Sequence, residues 1–151
     1  MSRALREVTQ RAGESGTRLV HGREEWNAIV LGLPRPDFRQ SWQWGALRAS
    51  RGWRVVRVAA GGDGGEAAAA VQALGLRVSW LGTVLYAPRG PLLAEGETGR
   101  RALPALLRRL QAETGAIFLR ASPGMAAGAG DALAPLRASG FVPRSAPRSA
   151  L

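Results

Sequence analysis

Apolar positions follow a helical period towards both ends of the chain and an alternating period in its middle. Trp26, Ile29 and Val30 fall at i, i+3 and i+4, which predicts a helix over 23–31. Pro34 and Pro36 end it and impose an extended linker. Ser41, a small hydroxyl residue after that linker, is placed to cap a short helix carrying Trp42, Trp44, Leu47 and Arg48, which Gly52 closes. Residues 17–20 read as a short strand, and the Val-rich alternation over 53–59 as a longer one. The Gly61-Gly62-Asp63-Gly64-Gly65 turn then leads into a strand over 66–76, despite the helix preference of its alanines. A further strand is expected over 78–86 and a loop over 87–91.

The clearest helix runs from Thr98 or Gly99 to Glu113, with Leu103, Leu106, Leu107 and Leu110 on one face and Gly115 as its stop. A strand over 116–121, a small-residue loop over 122–130 and a helix over 132–139, capped by Asp131 and ended by Gly140, complete the pattern. This order predicts an α+β fold, a mixed sheet flanked by helices in one unit over 17–143. Residues 1–16 read as a loose arm and 144–151 as an Arg/Pro/Ser tail. No Gly-x-Gly-x-x-Gly joins a strand to a helix, so a dinucleotide-binding unit is not expected.

Charge adds a constraint on partners. The net charge is +10, and all 21 basic residues are arginines. Arg in place of Lys fits a compositional bias, but the excess over 11 acids is one that attracts polyanions. The chain has no cysteine and one histidine, His21, which excludes disulfides, thiolate chemistry and multi-histidine metal sites. Neither a metal nor a cofactor is expected. The first fifteen residues lack the apolar core of a secretion signal. The longest apolar run, 67–76, is well short of the roughly 20 residues of a membrane helix. A cytoplasmic location is the expectation.

Two clusters could carry chemistry. In Gln40-Ser41-Trp42-Gln43-Trp44-Gly45-Ala46-Leu47-Arg48, a helix N-terminus offers N–H groups to an anion and Arg48 a bidentate contact, although paired tryptophans on a short helix also serve as core anchors. In Tyr86-Ala87-Pro88-Arg89-Gly90-Pro91, two prolines fix an arginine beyond a strand, which lowers the ordering cost of gripping an anion. The Gly-rich stretch after Arg120 lacks the Lys-Ser/Thr of a P-loop, and reads as a connector. Glu24 and Glu25 are adjacent and diverge on a helix, and no Ser/His/Asp set is visible.

Taken together, Gln40-Ser41-x-x-Trp44-Gly45-x-Leu47-Arg48 with Gly52-Trp53-x-Val55, then Tyr86-Ala87-Pro88-Arg89-Gly90-Pro91, resemble the Fem-type (FemABX) peptidoglycan aminoacyltransferases. Phe118-Leu119-Arg120-x-x-Pro123 and Leu136-x-x-x-Gly140-Phe141-x-Pro143 continue the likeness, in order, to the end of the globular region. The resemblance implies a GNAT-like fold, of which members carry two in tandem. It also implies transfer of an amino acid from aminoacyl-tRNA to the stem peptide of a lipid-linked or UDP-linked peptidoglycan precursor. Gln40, Ser41, Trp44, Arg48, Tyr86 and Arg89 are the substrate-binding candidates on that basis. At the position of Arg48 the family often has Lys, and Arg keeps the charge with a different geometry. No catalytic residue is assigned.

Length suggests the first of the two GNAT-like halves, so the chain by itself is expected to transfer no amino acid at a useful rate. Two other readings fit the same residues. One is a stand-alone GNAT-like N-acyltransferase, which lacks here the Arg/Gln-x-x-Gly-x-Gly/Ala loop for acetyl-CoA. The other is a non-catalytic basic module for RNA or an anionic surface, which lacks a stacking platform.

Overall fold

The computed structural model describes residues 16–61, 66–124 and 133–144. Six strands form one sheet: β1 (Thr17–Leu19), β2 (Arg54–Gly61), β3 (Ala67–Val78), β4 (Gly82–Arg89), β5 (Leu92–Leu93) and β6 (Phe118–Pro123). Their order is β1-β2-β3-β4-β6, with β5 paired to β3. All neighbours are antiparallel except β4 and β6, which run parallel. The helices are α1 (Arg23–Gly32), α2 (Trp42–Ala49), α3 (Gly96–Thr114) and α4 (Ala134–Ala138). This is the α+β architecture expected, a mixed sheet flanked by helices.

The sheet is covered on both faces, which explains the alanines of β3. Val56, Val58, Ala69, Val71, Ala73 and Leu85 face α3, where Leu103, Leu106 and Leu110 are buried among them. Ala59 and Ala70 face the other way, with Trp26, Val30 and Leu33 of the α1 layer. A central strand with helices on both sides needs small residues where they approach, and this burial overrides the helix preference of alanine. Leu107 sits at the margin of the core, as its place on the leucine face predicts. Truncating any of the three buried leucines to Ala removes about 2–5 kcal/mol of stability.

Several boundaries differ from the sequence pattern. The long helix starts at Gly96 rather than Thr98, and accommodates Pro104 on its exposed side. The strand expected from residue 78 starts only at Gly82, because Ser79–Leu81 form a turn of 3-10 helix at the hairpin tip. It then runs through Arg89, where a loop was expected, since parallel pairing with β6 carries on to Arg89 opposite Pro123. The last helix is shorter than 132–139, and its expected cap, Asp131, lies outside the described residues, as do most of the arm, the tail and the glycine turn.

Candidate functional site

The parallel strands β4 and β6 end side by side, and α3 starts immediately beyond them. Between these ends and the linker after α1 lies a cavity of about 280 Å3. Arg35, Arg89 and Arg100 line it, with Glu95 and Gly96 at the start of α3. The 19-residue α3 directs its positive end here, and the Glu95 side chain makes no capping bond to the first-turn N–H groups. Arg35, Arg89 and Arg100 beside a helix N-terminus can offer an anion several hydrogen bonds, with Asp37, 3.7 Å from Arg89, and Glu97, 3.9 Å from Arg100, as competing partners.

Two of these arginines stand on unusual backbone. Arg35 has φ 55° and Arg89 φ 57°, the left-handed region that costs a residue with a Cβ about 1–2 kcal/mol. Each is bounded by prolines, in Pro34-Arg35-Pro36 and Pro88-Arg89-Gly90-Pro91. Arg35 therefore lacks the extended backbone expected of a residue before proline. Asp37 tethers the second arginine: its Oδ2 is 3.7 Å from Arg89 Nε, and its Oδ1 is 3.7 Å from Arg39 Nε. The Asp37 carboxylate also accepts a 2.9 Å bond from the Arg39 backbone N–H, which opens the 3-10 turn Phe38–Gln40.

The other candidates take separate places. Gln40 is completely buried. Its Oε1 accepts from the Gln72 N–H at 2.7 Å, and its Nε2 donates to the Gln72 carbonyl at 3.1 Å and the Pro88 carbonyl at 2.7 Å. The β3–β4 ladder pairs Leu74 with Tyr86, so Gln72 would next meet Pro88, which has no N–H to return. The Gln40 amide fills this gap in the sheet. Its hydrogen bonds are all internal, and it belongs to the framework rather than to a ligand-facing surface, a correction to its place among the candidates. Ser41 caps α2 as its position predicts, accepting from the Trp44 N–H at 3.2 Å.

Trp44 and Arg48 form a unit of their own on α2. The Arg48 guanidinium lies 4.6 Å from the Trp44 ring centre, and Trp44 meets Phe38 edge to face at 5.4 Å. Trp44 Nε1 and Arg48 Nε are buried with no hydrogen-bond partner among the described residues. Tyr86, on β4, has the Arg120 guanidinium 5.9 Å from its ring centre. Arg89 is therefore the one sequence candidate that lines the cavity, and Arg48 does not share it. His21 is exposed, and no group of three or more His, Asp or Glu able to hold a metal is present among the described residues.

Arg35, Asp37, Glu95 and Arg100 were not singled out from sequence. The signal for Arg35 is the repeated proline-bounded arginine, visible once both copies are compared. Gln72 and Arg57 were also missed. Arg57 stacks on the Trp42 ring at 3.7 Å and donates to Gln72 Oε1 at 2.7 Å. With no acid among these partners, desolvation by burial lowers its pKa to about 10.

The structure is similar to that of FemX, with a TM-score of 0.67 and 28% sequence identity over 80% of this chain. The chain spans 31% of the FemX chain. It is also similar to a probable acetyltransferase (TM-score 0.56, 18% identity, 85% of this chain and 91% of that one). The aminoglycoside 6'-N-acetyltransferase AAC(6')-Ig from Acinetobacter haemolyticus resembles it to the same degree (TM-score 0.58, 13% identity, 86% and 92%). The fold is thus GNAT-like, with a likeness to FemX in sequence as well as in structure. No protein-family model matches the chain, and no curated protein sequence does.

Proposed function

We propose that this chain is a substrate-binding GNAT-like unit of an aminoacyltransferase that moves an amino acid from aminoacyl-tRNA to the stem-peptide amine of a peptidoglycan precursor. The observation that carries the reading is the 28% identity with FemX across 80% of the chain, against 13–18% for the two acetyltransferases. The cavity at the strand ends supports it. Arg35, Arg89 and Arg100 suit a phosphate or pyrophosphate of the precursor, and the net charge of +10 suits both polyanionic substrates.

In this reaction the acceptor amine attacks the ester carbonyl of the aminoacyl-tRNA. A C–N bond forms through a tetrahedral oxyanion, the C–O bond to the tRNA ribose breaks, the amine loses a proton and the ribose oxygen gains one. Positioning and electrostatic stabilisation carry most of such a reaction. The reading asks this chain to hold the acceptor's phosphates, and a second GNAT-like unit to complete the site, in line with the 31% of FemX that the chain spans.

A second reading, a stand-alone N-acyltransferase using an acyl-coenzyme A, is favoured by size, because the two acetyltransferases are matched over 91% and 92% of their own lengths. Against it, the chain has no Arg/Gln-x-x-Gly-x-Gly/Ala loop of the kind that holds the acetyl-CoA pyrophosphate. Titrating a UDP-linked precursor and coenzyme A against the purified chain separates the two. We expect the precursor to bind and coenzyme A not to. Binding of coenzyme A with no binding of precursor overturns the proposal in favour of the second reading.

A further inference from the structure

Strands β3 and β4 reach further than their neighbours. β2 starts at Arg54, opposite Gly75, and β6 starts at Phe118, opposite Val84. The segment from Leu76 to Thr83 therefore projects as a two-stranded finger beyond the sheet, closed by the 3-10 turn Ser79–Leu81. An exposed finger of this kind is ordinarily polar. Here Trp80 is 87% exposed at its tip, and Leu76, Val78, Leu81, Ile117 and Phe118 are exposed beside it.

These residues are contiguous. Leu76 pairs with Val84, and Val84 with Phe118, so the three form one row across the sheet. Val78 pairs with Gly82, and a Cβ at Gly82 would lie 3.8 Å from Ile117. The finger's own charge is positive, and Glu113 near its foot, whose carbonyl accepts from Arg54, is paired with Arg109 at 2.8 Å. No Asp or Glu occurs between 67 and 94 or between 115 and 124, whereas Arg77 lies on the finger opposite Thr83 and Arg120 on β6 opposite Tyr86.

We propose that this finger is a contact for an anionic membrane surface, with Trp80 and Leu81 entering the boundary between headgroups and acyl chains and Arg77 and Arg120 facing acidic headgroups. Trp is suited to that boundary because its ring is apolar and its N–H stays hydrated. The shape selects the partner. A narrow convex tip buries little against a second rigid protein, which for a stable complex must cover about 800 Å2 on each side. A fluid lipid surface closes around such a tip, and the arginines on strands without acids complement its negative potential. The proposal is independent of the transfer reading and is tested without any substrate.

The test is co-sedimentation of the chain with vesicles of phosphatidylcholine alone and of phosphatidylcholine mixed with phosphatidylglycerol. We expect binding to the mixed vesicles, weakened about tenfold or more by the double substitution Trp80→Ser/Leu81→Ser and about fivefold by Arg77→Gln. In the mixed vesicles, brominated acyl chains should quench part of the tryptophan fluorescence, and Trp80→Phe should remove that quenching while binding persists. Failure of the wild type to bind mixed vesicles overturns the proposal. So does undiminished binding by a folded double variant, which would assign the attraction to net charge alone. A concentration-dependent dimer of the wild type, lost in the double variant and accompanied by no vesicle binding, would assign the finger to a second copy of the chain.

Discussion

Gln40 and Gln72 exchange side chains: each amide is bonded to the main chain around the other. The Gln40 amide bonds the backbone N–H and carbonyl of Gln72, and the Gln72 Nε2 donates to the carbonyls of Arg39 at 3.2 Å and Ser41 at 2.9 Å. This exchange fastens the segment ahead of α2 to the central strand, and so sets where α2 lies on the sheet. Arg57 completes it by donating to Gln72 Oε1.

Replacing Gln40 by Met keeps the volume and removes all three of its bonds. Gln72 and Pro88 would retain buried backbone groups without partners, each costing about 1–3 kcal/mol. We expect Gln40→Met to lower stability by about 3–5 kcal/mol, measured by urea unfolding. Anion binding per remaining folded molecule should change little, because Gln40 does not line the cavity.

Glycine matters at one helix position and not at another. A Cβ at Gly45 would fall on Gln72 Oε1 and Arg57 Nη2, whereas one at Gly32 meets nothing within 4 Å. Gly45→Ala should cost about 1–3 kcal/mol. Gly32→Ala, at the end of α1, should be neutral or stabilising by about 0.5 kcal/mol. Thermal melts of the two variants beside the wild type check this pair.

Arg57 sets a pH dependence of known sign. Its folded pKa, about 10, lies below the ordinary value of an arginine, which the unfolded chain retains. Between these values the unfolded chain binds more protons than the folded one, so the Arg57 contribution to stability rises with pH there. Below pH 10 both states hold the proton and the contribution is flat. Arg57→Met should lower stability by about 1–3 kcal/mol through the lost bond to Gln72 and the lost Trp42 stack. The difference from the wild type should be constant from about pH 6 to about pH 9. Urea unfolding at several pH values measures it.

At the cavity, Arg35→Ala, Arg89→Ala and Arg100→Ala should each weaken binding of inorganic pyrophosphate by about 1–3 kcal/mol, and the loss should shrink as salt is raised. Asp37→Asn should act in the opposite sense, because it removes the carboxylate held 3.7 Å from Arg89 Nε. Arg48→Ala should leave pyrophosphate binding unchanged. Isothermal titration at two salt concentrations distinguishes these outcomes.

Most of the fold was legible because its signals are local. The leucine face of α3, the Ser41 cap and the alternation of β2 each follow from spacing over a few residues, and each lies where the pattern predicts. The course of β4 through Pro88 was not legible. Its pairing depends on β6, some thirty residues later, and on an amide from Gln40. The site was legible in part. Arg89, which lines the cavity, stands out in the sequence because prolines bound it in a single short motif. Arg100 was not, because on a helix it reads as an ordinary solvated charge, and only the fold brings it to the ends of β4 and β6. Gln40 was misplaced for a related reason: a glutamine beside tryptophans at a helix start reads as a contact for ligand, and its burial is set by a strand that follows much later.

The pairing of β6 bears on how this protein behaves when concentrated. Among the described residues β6 pairs only with β4, and a strand side without a partner is a template on which chains stack edge to edge into aggregates. Two of its residues oppose such growth. Arg120 would bring like charges together in an added copy, and Pro123 cannot donate at the strand's end. Low salt, which leaves unscreened both the repulsion between neighbouring Arg120 groups and that of the net charge of +10, keeps the chains apart.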